Sequence, residues 1–198
     1  YLAEYAKRNS PLVRTIRLTA ETLQGIPSII YGLFGMVFFT ALRINLTLLS
    51  GALTLSLMVL PLILRTTEEA LLSIPDSYRE GSFGLGAGKL RTVFRIVLPS
   101  AVPGIFSGII LAIGRIVGET AALIFTAGTM AQIPGLTQSG RTLAIHMYVL
   151  SGEVLHMNEA NATAVVLLLV VLAVIGYVLW LARRRKQLEA ERRRRRRA

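Results

Sequence analysis

Residues 75–99 read PDSYREGSFGLGAGKLRTVFRIVLP, a polar and basic insert between far more apolar neighbours. Residues 25–42, 46–64, 101–127 and 162–182 are apolar runs, each long enough at about 1.5 Å per residue to cross or nearly cross roughly 30 Å of hydrocarbon. The expectation is an all-α, polytopic transmembrane bundle with four spans. Its 53% hydrophobic and 17% charged residues, with a mean hydropathy of +0.58, exclude an ordinary water-soluble domain.

The formal charge of +11 invites a nucleic-acid reading, so its location matters. The tail 183–198 alone carries a net +8, leaving +3 on the other 182 residues. Basicity that abuts a membrane span reads as a stop-transfer cap touching anionic lipid, and nucleic acid is not an expected partner. With the tail cytoplasmic, four crossings place residues 1–25 and 65–100 on the same side. Those three regions hold 4, 5 and 10 Lys or Arg, and the opposite side holds only Arg43 and Arg141. That asymmetry satisfies the positive-inside rule and puts the insert on the cytoplasmic side of the membrane.

The order along the chain follows. Residues 1–25 mix charges with Leu12, Ile16 and Leu23 at helical spacing, an amphipathic stretch for the interface. Residues 26–64 hold two antiparallel spans, the first with Gly32 and Gly35 leaving room for a neighbour, the second with Ser50, Gly51, Thr54 and Ser56 as helix contacts and Pro61 as a tolerated kink. Residues 65–100 form the hairpin, 101–127 a span, 128–161 an outer segment, and 162–182 a last span ending at Tyr177 and Trp180 as interfacial anchors. The chain opens at Tyr1 without a signal-peptide pattern and is taken as an N-terminally truncated single transmembrane domain.

Within the insert, Pro75 suits a first helical position and Asp76 an acid in the first turn. A short exposed helix carrying Tyr78, Arg79 and Phe83 is broken by Gly84, Gly86 and Gly88. A second helix from Lys89 is expected to stop at Pro99. Physics alone leaves this hairpin as either an interfacial loop or a docking surface.

The spacing adds more. Glu80, Gly81, Ser82, three residues, Gly86, nine residues, Ile96, Val97, Leu98 and Pro99 resemble the EAA motif of permease subunits of type I (MetI-like) ABC importers, with Gly81 and Ser82 in place of two alanines. The resemblance implies that this hairpin couples to a separate ATPase dimer, with Tyr78, Arg79, Glu80, Gly81, Ser82 and Phe83 as the contact, Gly86 as the turn, and Ile96, Leu98 and Pro99 closing the motif. GIPSIIYGLFG at 25–35 and GRIVGETAALIF at 114–125 resemble the phosphate-specific permeases of the PstA and PstC type, PstA more closely. That implies inorganic phosphate as cargo, a PstC-like second permease, a periplasmic or extracellular phosphate-binding protein, and six helices in the whole subunit, with residues 1–6 ending the second.

Arg115 and Glu119 sit in a span at a spacing that puts them on one helix face, where pairing would soften the cost of charge in hydrocarbon. Gly114 and Gly118 lie beside them as expected close-contact positions. The pair is either a passing contact for an oxyanion, through the planar fork of Arg115, or a latch between helices.

The remaining candidates carry no chemistry. His146 and His156, near Glu153 and Glu159, lack the one-turn spacing of a helical metal site. Gly84, Gly86 and Gly88 follow no strand and miss the dinucleotide fingerprint, and no Walker A run occurs, so ATP hydrolysis belongs to another subunit and no cofactor is expected. The chain has no cysteine, which excludes disulfides and thiol catalysis. Rival readings are an ATP-independent channel or carrier, and the same machine moving sulfate or molybdate.

Overall fold

Apolar runs without strand periodicity fold as helices, and the computed structural model describes residues 3–6, 10–153 and 156–195, of which no residue lies in a strand. The chain divides into two compact units, residues 1–141 and 142–198.

In the first unit, α1 (Pro11–Gly25) and α2 (Ser28–Ala41) are bent by 100° at Ile26 and Pro27. A proline there removes an N–H and disfavours helix in the residue before it, so the chain turns. The first expected span, 25–42, is thus α2 alone, with 14 residues, and reaches the length of a span only together with α1 as a bent pair. Next, α3 (Leu48–Leu72) is one continuous helix of 25 residues, reaching beyond the expected end at residue 64. Thr47 and Ser50 form a capping box at its start, and Thr47, Leu48 and Leu49 donate their N–H groups to the carbonyls of Thr126, Gln138 and Leu136. These satisfy donors that a helix start leaves open.

The hairpin is α4 (Asp76–Gly84) followed by α5 (Lys89–Thr92), a π-helical turn (Val93–Val97) and α6 (Leu98–Gly118). Pro99 does not stop the helix, contrary to expectation: Lys89–Gly118 runs on as one apolar helix of 30 residues. Proline lacks an N–H and crowds the carbonyl four residues back. The wider turn, in which Leu98 donates to Val93, removes that conflict. At its far end the helix stops at Gly118, short of the expected residue 127, and α7 (Ala121–Thr126) follows as a separate short helix.

Small residues set the packing. A Cβ on Gly32 would lie 2.8 Å from Ala122 Cα, so α2 meets α7 backbone against backbone, and one on Gly108 would lie 2.7 Å from Thr66 Cβ, so α6 closes directly onto the Thr66 side chain of α3. Met58, Val59 and Ala112 form a buried cluster against Tyr31, Leu55 and Leu62. Gly114 and Gly118, expected at a helix contact, have nothing within 4 Å of a Cβ; Gly104 and Gly108 take that part.

The second unit holds α8 (Leu143–Ser151) and α9 (Met157–Arg195), the latter extending the last span at both ends and running into the basic tail. Leu168, Leu169, Leu172, Tyr177 and Trp180 are exposed, as suits a lipid-facing helix. Tyr177 stacks on Trp180 at 6.1 Å and Arg184 lies 5.1 Å from the Trp180 ring. The end of the arginine run, 196–198, lies outside the described residues, as do residues 1 and 2 of the expected preceding helix. Among the described residues, three helices are long and apolar enough to cross a membrane, four if the bent pair counts as one, and the protein is a multi-pass membrane protein.

Candidate functional site

Two features carry charge or exposed aromatics that the fold itself does not consume. The first is the tip of the hairpin. Helix α4 ends in a Schellman motif: Ala87 N–H donates to Ser82 O at 3.1 Å and Gly86 N–H to Phe83 O at 2.8 Å. Gly86 occupies the left-handed position of that motif with φ at +78°, and a Cβ there would meet nothing within 4 Å. The demand for glycine is therefore conformational and not steric.

The hairpin divides its motif residues between two jobs. Tyr78, Glu80, Gly81, Phe83 and Gly86 are exposed, and Leu85, at 91%, is almost fully so. Ser82 is 4% exposed and Thr92 is 1% exposed, and their hydroxyls share a hydrogen bond of 2.8 Å that pins α4 to α5. Serine in place of the motif's alanine is matched by a hydroxyl across the turn, a pairing at ten residues' separation that no local pattern signals. Arg79 also turns inward. Its Nη1 donates to Ile74 O at 2.7 Å and Asp76 Oδ1 at 3.1 Å, its Nη2 to Leu71 O at 3.0 Å, and its fork holds Glu4. The Glu4 carboxylate, hydrogen-bonded to it, pushes the Arg79 guanidinium above its already high range. Ile96 and Leu98 are half-buried and Pro99 exposed beyond the π turn.

The second feature is the end of α6. Arg115 is half-buried in the last turn, where a cation suits the carbonyl end of a helix. Glu119 caps the end of that helix, and its extended backbone, with ψ at 128°, turns the chain toward α7. The buried Glu119 carboxylate instead accepts from Ala122 N–H at 3.1 Å, holding the start of α7. Arg115 and Glu119, expected as a pair, are not ion-paired, because the carboxylate is taken up by the start of α7.

On the other side of α3, Arg17 donates to Glu68 at 2.6 Å and Arg65 bridges Glu21 and Glu69, tying α1 to the end of α3 that leads into the hairpin. Glu68, with Ser56 and Thr67, lines an open, mostly apolar groove of about 980 Å³ along α3. His156 lies 3.3 Å from Glu159 and 3.7 Å from Glu153, and among the described residues no three acidic or histidine side chains are placed to hold a metal ion.

A family model described as binding-protein-dependent transport system inner membrane component matches residues 1–187. The chain is similar to the probable ABC transporter permease protein YqgI of Bacillus subtilis, 43% identical over 129 residues, covering 65% of this chain and 44% of that one. It is 40% identical over 129 residues to the phosphate transport system permease protein PstA of Mycobacterium leprae, covering 65% and 42% of the two. The probable phosphate transport system permease protein PstA of Methanocaldococcus jannaschii is 30% identical over 174 residues, covering 86% of this chain and 62% of that one. The chain thus spans less than half the length of the first two relatives.

Proposed function

Because this chain belongs to the family of binding-protein-dependent transport system inner membrane components, we propose that it is a permease subunit of an ATP-driven importer that moves inorganic phosphate into the cell. The relatives named as phosphate permeases support the cargo. The hairpin carries the coupling role: Tyr78, Glu80, Phe83 and Leu85 face solvent on a helix whose other side is held by Arg79 and Ser82. An aromatic and acidic tip on a rigid support suits insertion into a groove of a separate ATPase dimer. ATP hydrolysis takes place on that partner.

The charge asymmetry along the chain supports a cytoplasmic hairpin and tail, with the loop after α7 outside, where a phosphate-binding protein would dock. The open groove along α3 suits cover by a second, PstC-like permease. Arg115 is the cation best placed for a weak, passing contact with an oxyanion, and Glu119 sets the position of α7 beside it.

The test is uptake of labelled phosphate by the assembled transporter, with sulfate and molybdate as competitors. Phosphate flux that phosphate alone suppresses is expected, and suppression by molybdate or sulfate instead would reassign the cargo. Glu80→Arg is expected to abolish uptake with the protein still inserted, and full flux in that variant would remove the hairpin from coupling. Arg115→Gln with flux unchanged would remove Arg115 from the path.

A further inference from the structure

Residues 3–6 form a turn ahead of α1, and they touch both arms of the hairpin. On one arm, Arg79 holds Glu4 through Nε, at 3.2 Å, and Nη2. This is a two-pronged contact between side chains 15% and 8% exposed, while the rest of the same guanidinium binds the Leu71 and Ile74 carbonyls at the end of α3. On the other arm, Lys89 Nζ lies 5.0 Å from the centre of the Tyr5 ring. One planar cation therefore joins residues 3–6, remote in sequence, to the last turn of α3 and to α4, which a link of three residues connects.

We propose that the Glu4–Arg79 pair is a positioning clamp that makes the hairpin, the end of α3 and the segment ahead of α1 move as one body, so that displacement of the hairpin tip reaches α3 instead of being absorbed by a swing of α4. The inference rests on the reading of the hairpin as the ATPase contact. It assigns to Arg79 a task different from its exposed neighbours: Arg79 faces inward, touches no docking partner, and acts by holding. Arginine is required because the bond is forked while two carbonyls are served by the same plane, which a lysine cannot reproduce. A buried carboxylate left without its cation would also be costly, so the pair acts as a unit.

The test compares Glu4→Gln, Arg79→Lys and the double variant in the assembled transporter, reading retained ATPase, unstimulated hydrolysis and hydrolysis stimulated by the binding protein. Expected are normal ATPase retention and unstimulated hydrolysis, stimulated hydrolysis reduced about tenfold in each, and no further loss in the double variant. Since the chain has no cysteine, Tyr5→Cys and Lys89→Cys can be joined by a bis-maleimide in inserted protein. The link is expected to leave the unaltered background active and to restore stimulated hydrolysis in Glu4→Gln.

Unchanged stimulated hydrolysis in Glu4→Gln, loss of the ATPase itself from Arg79→Lys, or arrest by the link in the unaltered background would each overturn the clamp. The stimulated rate does not depend on which anion is carried, so failure of phosphate uptake would strike the cargo assignment and leave the clamp decided by its own readout.

Discussion

At Gly86 a single dihedral does the work that the motif spacing only marks. With φ at +78° and free space around the Cα hydrogen, Gly86→Ala is expected to cost about 1–2 kcal/mol through left-handed backbone strain alone. Gly84→Ala, in a conformation any residue adopts and equally open, is expected to leave the melting temperature in detergent unchanged or raise it slightly. Equal melting of the two variants would show that the turn does not need the left-handed residue. Ser82 offers a second single-residue measurement. Ser82→Ala removes one hydroxyl from a buried pair, and Thr92 keeps its bond to Gly88 O at 3.2 Å, so a loss near 1 kcal/mol, at about the net worth of one hydrogen bond, is expected. Thr92→Val should cost at least as much, because it removes both bonds.

At the scale of elements, the π turn decides where the second arm of the hairpin points. One extra residue in a helical turn rotates everything before it by about 100° relative to the rest, so the turn at Val93–Val97 sets the face that α5 shows to α4. Pro99→Ala removes the reason for the wide turn. The expected outcome is a protein at least as stable as the parent, by thermal melting, with lower phosphate flux because Thr92 no longer meets Ser82. Full flux would mean that the arm's orientation is set elsewhere. The contact between α3 and α6 follows another rule, close approach without room for a methyl. Gly108→Ala is expected to destabilise by about 1–3 kcal/mol by overpacking against Thr66, and Gly114→Ala, one helix turn and a half further on with an open Cβ position, to be tolerated. A larger effect at Gly114 would place a partner against that face.

For the molecule as a whole, the bent pair α1 and α2 keeps the end of α3 that carries Arg65 and Glu68 in contact with α1, beside the start of the hairpin. The opposite end of α3 is capped by the loop after α7. These two ends differ in kind: ion pairs at one, backbone hydrogen bonds at the other. Deleting residues 192–197 of the tail is expected to leave uptake intact, since ten basic residues in 183–198 exceed what orientation needs; loss of transport would assign the arginine run a further task. Much of this was legible without coordinates. The apolar runs, the basic insert between two of them, the turn at Gly86 and the close approach at Gly32 and Gly35 depend on composition and on spacing over a few residues, and a membrane solvent makes such local patterns decisive because every backbone group must be satisfied within its own helix. What depended on tertiary structure was every choice of partner between alternatives of equal local merit. Glycines four apart occur at Gly104 and Gly108 and again at Gly114 and Gly118, and only packing showed which pair is covered. Arg115 and Glu119 have the spacing of an ion pair, yet the chain leaves the helix at Gly118 and Glu119 serves α7. Arg79 looks like its exposed neighbours, and turns inward because Glu4, far away in sequence, lies where its fork can reach. Burial and hydrogen-bond partnership across long loops are set by where elements meet, and that is information the one-dimensional spacing of residues does not contain.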